Sequence, residues 1–179
     1  MSRSRSIVIA ALTGVLGVAV VAAAQPSGHG AHGADASAAA PHRRVHAALQ
    51  ETESVIATGR GAGLAFAADQ NNYPGPAHAL ELKDRLSLTA PQARQMETLQ
   101  AAMFAASRPA STRFLEAEAR LRRLFADGLA DESRVRAAVT DIERARTEVR
   151  LVHLLAHVQT RAVLAEDQRR VYHEARWGN

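Results

Sequence analysis

The chain has 179 residues, no cysteine, 4% aromatics and a formal net charge of +4. Without cysteine it has neither disulfides nor thiolate metal sites. With 22 Lys and Arg against 18 Asp and Glu, the positive excess is too small to argue for nucleic-acid binding.

Residues 1–6 carry Arg3 and Arg5, and residues 7–24 are an uncharged run dominated by Ala, Val, Leu and Ile. Ala22, Ala23 and Ala24 supply the small side chains of a signal-peptidase site just before Gln25 and Pro26. Residues 1–24 therefore read as a secretory signal peptide. The competing reading is an uncleaved anchor, because about 18 apolar residues are close to the minimum that spans a bilayer. Both readings export the remainder. Residues 25–45 are rich in His, Ala and Gly and lack an apolar period, the pattern of a disordered linker. The linker holds His29, His32 and His42, with His46 just beyond it. A flexible H-x-x-H tract collects a divalent ion only weakly, and the simpler reading is a solvated linker.

Residues 46–179 form the domain, and no alternating strand pattern occurs in them, so the predicted class is all-α. A short helix is expected over 47–58, broken by Gly59, Gly61 and Gly63. Another is expected over 64–70, before the Asn-Asn-Tyr-Pro-Gly-Pro break at 71–76. Pro76 suits the first position of a helix over 77–86. That helix buries Leu80, Leu82 and Leu86, and it carries His78 with Glu81 one turn on. Thr89 and Gln92 then form a capping box, opening a helix that runs to about residue 126 and stops near Gly128. Its apolar positions are Met96, Leu99, Met103, Phe114, Leu121, Leu124 and Phe125. Pro109 removes one backbone bond in the middle, which predicts a kink.

The connection at 127–131 is short, which predicts a long antiparallel helical hairpin of roughly 50 Å. Asp131 is the expected N-cap of its second arm. On that arm Val135, Val139, Ile142, Ala145, Val149, Val152, Ala156 and Val163 recur in steps of three and four. His153 and His157 lie within it as H-x-x-x-H. Four residues turn a helix by about 400°, so the two imidazoles project side by side, on or next to the apolar face. Leu151 and Leu155 fall nearly opposite that face. An apolar surface there predicts a homodimer or a client-binding concavity, with the arginines at 120, 122, 123, 144, 146 and 150 as a rim. Leu164, Ala165 and Gln168 repeat the spacing of Leu88, Thr89 and Gln92 before a last helix to about residue 176.

Two L-T-x-x-Q-like motifs flanking a long hairpin behind an export signal resemble the LTxxQ group of periplasmic proteins. That group holds the Spy/CpxP-type chaperones and the periplasmic sensors of nickel and cobalt resistance. The likeness covers roughly residues 73–177. The first motif fits at Leu88, Thr89 and Gln92, and the second keeps Leu164 and Gln168 but has Ala165 in the threonine's place. In the sensors, metal is held by histidines on the first helix of the domain and on the long third helix. The matching positions here are His78 and the His153–His157 pair. The sensors' second first-helix histidine corresponds to Leu82.

Two functional readings follow from these residues and that resemblance. The first is a periplasmic heavy-metal-resistance protein holding Ni, Co, Zn or Cu through His153 and His157, with His78 or Glu81 closing the site. The second is an ATP-independent chaperone that binds unfolded proteins, for which Leu151 and Leu155 offer a surface. A membrane-bound regulator is a further possible partner of the first. An enzyme is not expected. The chain has no Ser/His/Asp arrangement, phosphate loop or nucleophilic cysteine, and its H-x-x-x-H lacks the glutamate of a zincin helix.

Overall fold

The computed structural model describes residues 41–178, and these are helical with no strand among them. Six helices follow in order: α1 (Pro41–Ala57), α2 (Phe66–Asp69), α3 (Pro76–Glu81), α4 (Ala90–Ala126), α5 (Glu132–Val163) and α6 (Glu166–Trp177). The expected leader and the linker up to residue 40 lie outside the described residues. Among the described residues, no helix is long and apolar enough to cross a membrane.

The ends of the two long helices follow from local chemistry. Thr89 accepts the Gln92 amide at 3.3 Å, and the Gln92 side chain returns the bond to the Thr89 amide at 3.1 Å. At α5, Asp131 accepts the Arg134 amide at 2.8 Å. Each bond satisfies a first-turn N–H that has no partner inside its helix. α4 continues through Pro109 without a break. Proline removes one donor there, and the packed faces on either side keep the helix going.

Three boundaries differ from expectation. α1 begins at Pro41, so residues 41–45 are helical although their composition placed them in the linker. α2 is a single turn. α3 stops at Glu81 rather than running to residue 86. The chain turns over 82–87 instead, and Ser87 closes the turn at a φ of 48°. This lets Leu86 drop into the core at 3% exposure.

Two apolar clusters hold the fold. In one, Ile56 of α1 meets Ala110, Phe114 and Ala117 of α4 and Ile142, Ala145 and Val149 of α5. In the other, Ala79, Leu86, Met96, Leu164 and Tyr172 pack together. Met96 is fully buried, and truncating such a side chain to alanine costs about 2–5 kcal/mol. Val139 belongs to the apolar stripe of α5 by its spacing and Phe125 to that of α4, but they are 44% and 61% exposed. The core thins toward the 127–131 connection.

The two L-x-x-x-Q segments meet. Gln92 Nε2 donates to Gln168 Oε1 at 2.8 Å, and Gln168 Nε2 donates to Gln92 Oε1 at 3.1 Å. Each amide also reaches a backbone carbonyl across the junction, Val163 for Gln92 and Leu86 for Gln168. Ala165 has no capping oxygen, but Gln168 accepts its amide at 2.9 Å. The glutamines therefore act twice, as capping groups for their own helices and as a cross-link between them.

Candidate functional site

Between the two apolar clusters α4 and α5 change character. Ser107 and Ser111 on α4, and His153, His157 and Thr160 on α5, are all buried. Most buried polar groups in folded proteins have a hydrogen-bond partner, whereas Ser111 Oγ and Thr160 Oγ1 have none here. This layer is where the loops around α2 and α3 cross the long helices.

The loop after α1 is pinned first. Gly59 has a φ of 85°, a conformation open to glycine and costly for other residues. Its carbonyl accepts the Ser107 hydroxyl at 2.7 Å. Two residues on, Gly61 lies flat against His153. A Cβ there would stand 3.0 to 3.1 Å from the ring atoms Cγ, Cδ2 and Nδ1. The second loop does the same for His157, whose Nε2 would be 2.9 Å from a Cβ on Gly75. Two backbone segments without side chains thus hold the faces of the two imidazoles.

Both rings are oriented as well as packed. His157 Nδ1 donates to the Tyr73 carbonyl at 2.6 Å. The ring of Tyr73 is in turn held under the Arg161 guanidinium at 4.6 Å. His157 is 7% exposed and His153 5% exposed. Burial pushes the pKa of each below the usual histidine value of 6.5. For His153 the neighbouring His157 pushes the same way, and the Gly59 carbonyl opposes it. For His157 the Tyr73 carbonyl and then Asp69 oppose the shift, while His78 and Arg176 add to it. The neutral form dominates at pH 7. With the proton of His157 on Nδ1, its Nε2 carries a free lone pair. His153 Nε2 is buried with no hydrogen-bond partner.

The four residues expected as ligands line one cavity of about 440 Å³: His153 and His157 from α5, His78 and Glu81 from α3. They do not form a converged set. His78 Nδ1 is bonded to Glu81 at 2.9 Å rather than joining the pair. Among the described residues, no three His, Cys, Asp or Glu side chains are grouped to hold a metal ion. The expected convergence of three protein ligands is therefore not met, since His78 and Glu81 bond each other instead.

Beneath the cavity lies a network that sequence reasoning missed. Asp69, 7% exposed, accepts a short hydrogen bond from the Tyr172 hydroxyl. It also accepts from Arg176 Nε at 3.2 Å and Nη2 at 3.1 Å. Burial, then the Asp69 carboxylate, drives the Tyr172 phenol well above its ordinary range, so it remains a donor. This triad ties α2 to α6. A lone Asp in the small-residue run Phe66–Asp69 gives no sequence signal, since its partners are more than a hundred positions away. Trp177 also faces the cavity, packing edge-to-face on Phe66 at 5.1 Å. Its indole Nε1 is buried without a partner.

The other expected surface is exposed as a stripe. Leu151 is 49%, Leu155 55% and Val158 52% exposed on α5. Among the arginines expected to rim it, Arg122, Arg144 and Arg146 pair with Glu53, Asp141 and Glu143. Exposed pairs of this kind contribute little stability. Compared with protein-family models, with curated proteins and with solved structures, the chain matches none.

Proposed function

We propose that this chain is an exported, non-enzymatic heavy-metal-resistance protein that binds a divalent transition metal ion, Ni, Co, Zn or Cu, through His153 and His157. One observation carries the reading: two neighbouring buried imidazoles share a cavity, one with an Nδ1 donor that leaves Nε2 free, the other with a buried Nε2 lacking any partner. Metal-binding histidines commonly use one ring nitrogen as ligand and the other as donor to a carbonyl or carboxylate. The Tyr73 and Gly59 carbonyls suit that task. Lowered pKa values help too, because a ligand must be unprotonated before it can bind. When bound, the ion would supply a positive charge beside His153 and His157. The chain's own residues hold it, orient the rings and release it when protons compete.

The remaining architecture belongs to the same proposal. α4 and α5 are packed together and joined by residues 127–131, which supports reading them as the antiparallel hairpin of the LTxxQ group. The interlocked Gln92 and Gln168 give the two motifs of that group a physical role. A periplasmic location follows from the leader expected over residues 1–24.

Calorimetric titration of the chain with each metal tests the reading. His153→Ala and His157→Ala should each abolish most of the affinity, while deleting residues 25–41 should cost less, because the two imidazoles are already held in place on α5. Binding should weaken as pH falls below about 6.5. Undiminished binding in His153→Ala, or its loss on tail deletion alone, would refute the helix site.

A second reading is supported by the exposed stripe of Leu151, Leu155 and Val158. Such a stripe suits a homodimer seam or an unfolded client, as in a Spy/CpxP-like chaperone. Sedimentation of the wild type and of Leu155→Arg, beside an aggregation-suppression assay, separates the two. Loss of dimer points to the seam, and loss of suppression in an unchanged monomer points to clients.

A further inference from the structure

The cavity beside His157 has the size and the walls of a small-molecule site. An apolar cavity of about 150 Å³ takes a benzene ring, so about 440 Å³ has room for two fused rings. Small-molecule sites span roughly 300–1,000 Å³. Small residues make the space: Gly61, Ala62 and Ala65 between α1 and α2, and Gly75 and Ala77 at the start of α3. Phe66, Met103 and Phe104 supply apolar wall. Phe66 stays 50% exposed, so its ring keeps apolar surface that a ligand can cover.

The charges of the lining call for no ion. Asp69 is buried, and its two oxygens accept from Tyr172 and Arg176. Glu81 is bonded to His78. Glu81 and Arg60 are both exposed, so their charges remain hydrated. His157 is different. It lines the cavity at 7% exposure, and its Nδ1 donates to the Tyr73 carbonyl at 2.6 Å. Its Nε2 has no partner among the described residues, yet it is not one of the fully enclosed orphan atoms, so it keeps accessible surface. With the proton on Nδ1, that nitrogen can only accept. A buried acceptor left unmet is costly, and a single N–H or O–H satisfies it.

We infer that the cavity is a binding site for a small neutral aromatic molecule with one N–H or O–H donor, its rings against Phe66, Met103 and Phe104 and its donor on His157 Nε2. This goes beyond the metal reading and does not depend on it. An ion and this ligand on the same nitrogen would exclude each other, so the ligand is measured on metal-free protein.

The test titrates the full chain in EDTA calorimetrically with indole, benzofuran, indole-3-acetate and tryptamine. Indole and benzofuran share a fused-ring frame, but only indole carries an N–H. The expected result is that indole binds about tenfold more tightly than benzofuran, the difference made by one hydrogen bond. Indole-3-acetate and tryptamine, which add a charge of either sign, should each bind more weakly than indole, because the cavity has no unpaired buried charge to meet them. His157→Ala should bring indole and benzofuran within about twofold of each other. Ala77→Leu, which fills a half-buried lining position, should weaken both. Far-ultraviolet circular dichroism verifies the fold of each variant. In the wild type the ¹⁵N resonance of His157 Nε2 should move with indole and not with benzofuran, a readout that needs no variant. Absence of indole binding, equal affinity for indole and benzofuran, or tighter binding of either charged analogue would overturn the inference. The metal reading would stand after any of these results, since it is tested with the ion alone.

Discussion

Gly75→Ala isolates the contact that seats His157. Gly75 has φ −82° and ψ 149°, an extended conformation that alanine adopts freely and that suits a residue before proline. The backbone therefore raises no objection. The obstacle is the imidazole, because the new Cβ would stand 2.9 Å from Nε2 and 3.1 Å from Cε1. The ring has little room to retreat while its Nδ1 is held by the Tyr73 carbonyl at 2.6 Å. Overpacking of this kind costs about 1–3 kcal/mol. Replacing glycine also restricts the unfolded chain, which returns about 0.4–1 kcal/mol. The net expectation is a loss of about 1–2 kcal/mol. In a His157→Ala background the clash is gone, so the same change should be neutral or stabilising by up to about 1 kcal/mol. Urea unfolding of the four proteins in this cycle measures the coupling. Equal costs of Gly75→Ala in both backgrounds would show that the loop is not seated on the ring, and the account of the site would be wrong.

Ala165→Thr should raise stability by about 1 kcal/mol by supplying the missing capping oxygen of α6, read as a higher midpoint in denaturant. No gain would mean that the Gln168 bond to the Ala165 amide already holds that helix end. Tyr172→Phe should cost about 1–3 kcal/mol, since the buried Asp69 carboxylate loses a donor; an unchanged midpoint would argue against the triad. For pH the sign runs from the lowered histidine pKa values. Below about 6.5 the unfolded chain takes protons that folded His153 and His157 resist, so stability is full above that pH and falls below it. Each histidine contributes a slope of up to about 1.4 kcal/mol per pH unit. Thermal midpoints between pH 5.5 and 7.5 should fall less steeply in the His153→Ala/His157→Ala double variant, and parallel profiles would contradict the burial of the pair.

The helical class, the caps at Thr89 and Asp131 and the break at 71–76 were legible in the sequence because each depends on residues three or four apart. The position of His153 and His157 on the buried face of α5 followed from the same short-range geometry. Their surroundings were not legible. Leu151 and Leu155 are exposed, as their place opposite the apolar stripe predicts, but nothing local marks Thr160 on the same helix as buried beside the two histidines. Residue type states a preference for burial, and only a neighbouring element decides whether cover exists. Gly61 and Gly75 read as chain breakers, but what they do is let backbone approach an imidazole on a helix some eighty residues away or more. Asp69, Tyr172 and Arg176 carried no local mark because their meeting depends on α6 folding back onto α2. The sequence by itself determined which segments are helices and where the two long ones begin. Tertiary packing decided that α3 stops short, that its His78 and Glu81 bond each other, and that a polar layer with a cavity lies between two apolar clusters. Capping and periodicity act within one or two helical turns, whereas a cavity exists only where separate elements fail to fill the space between them.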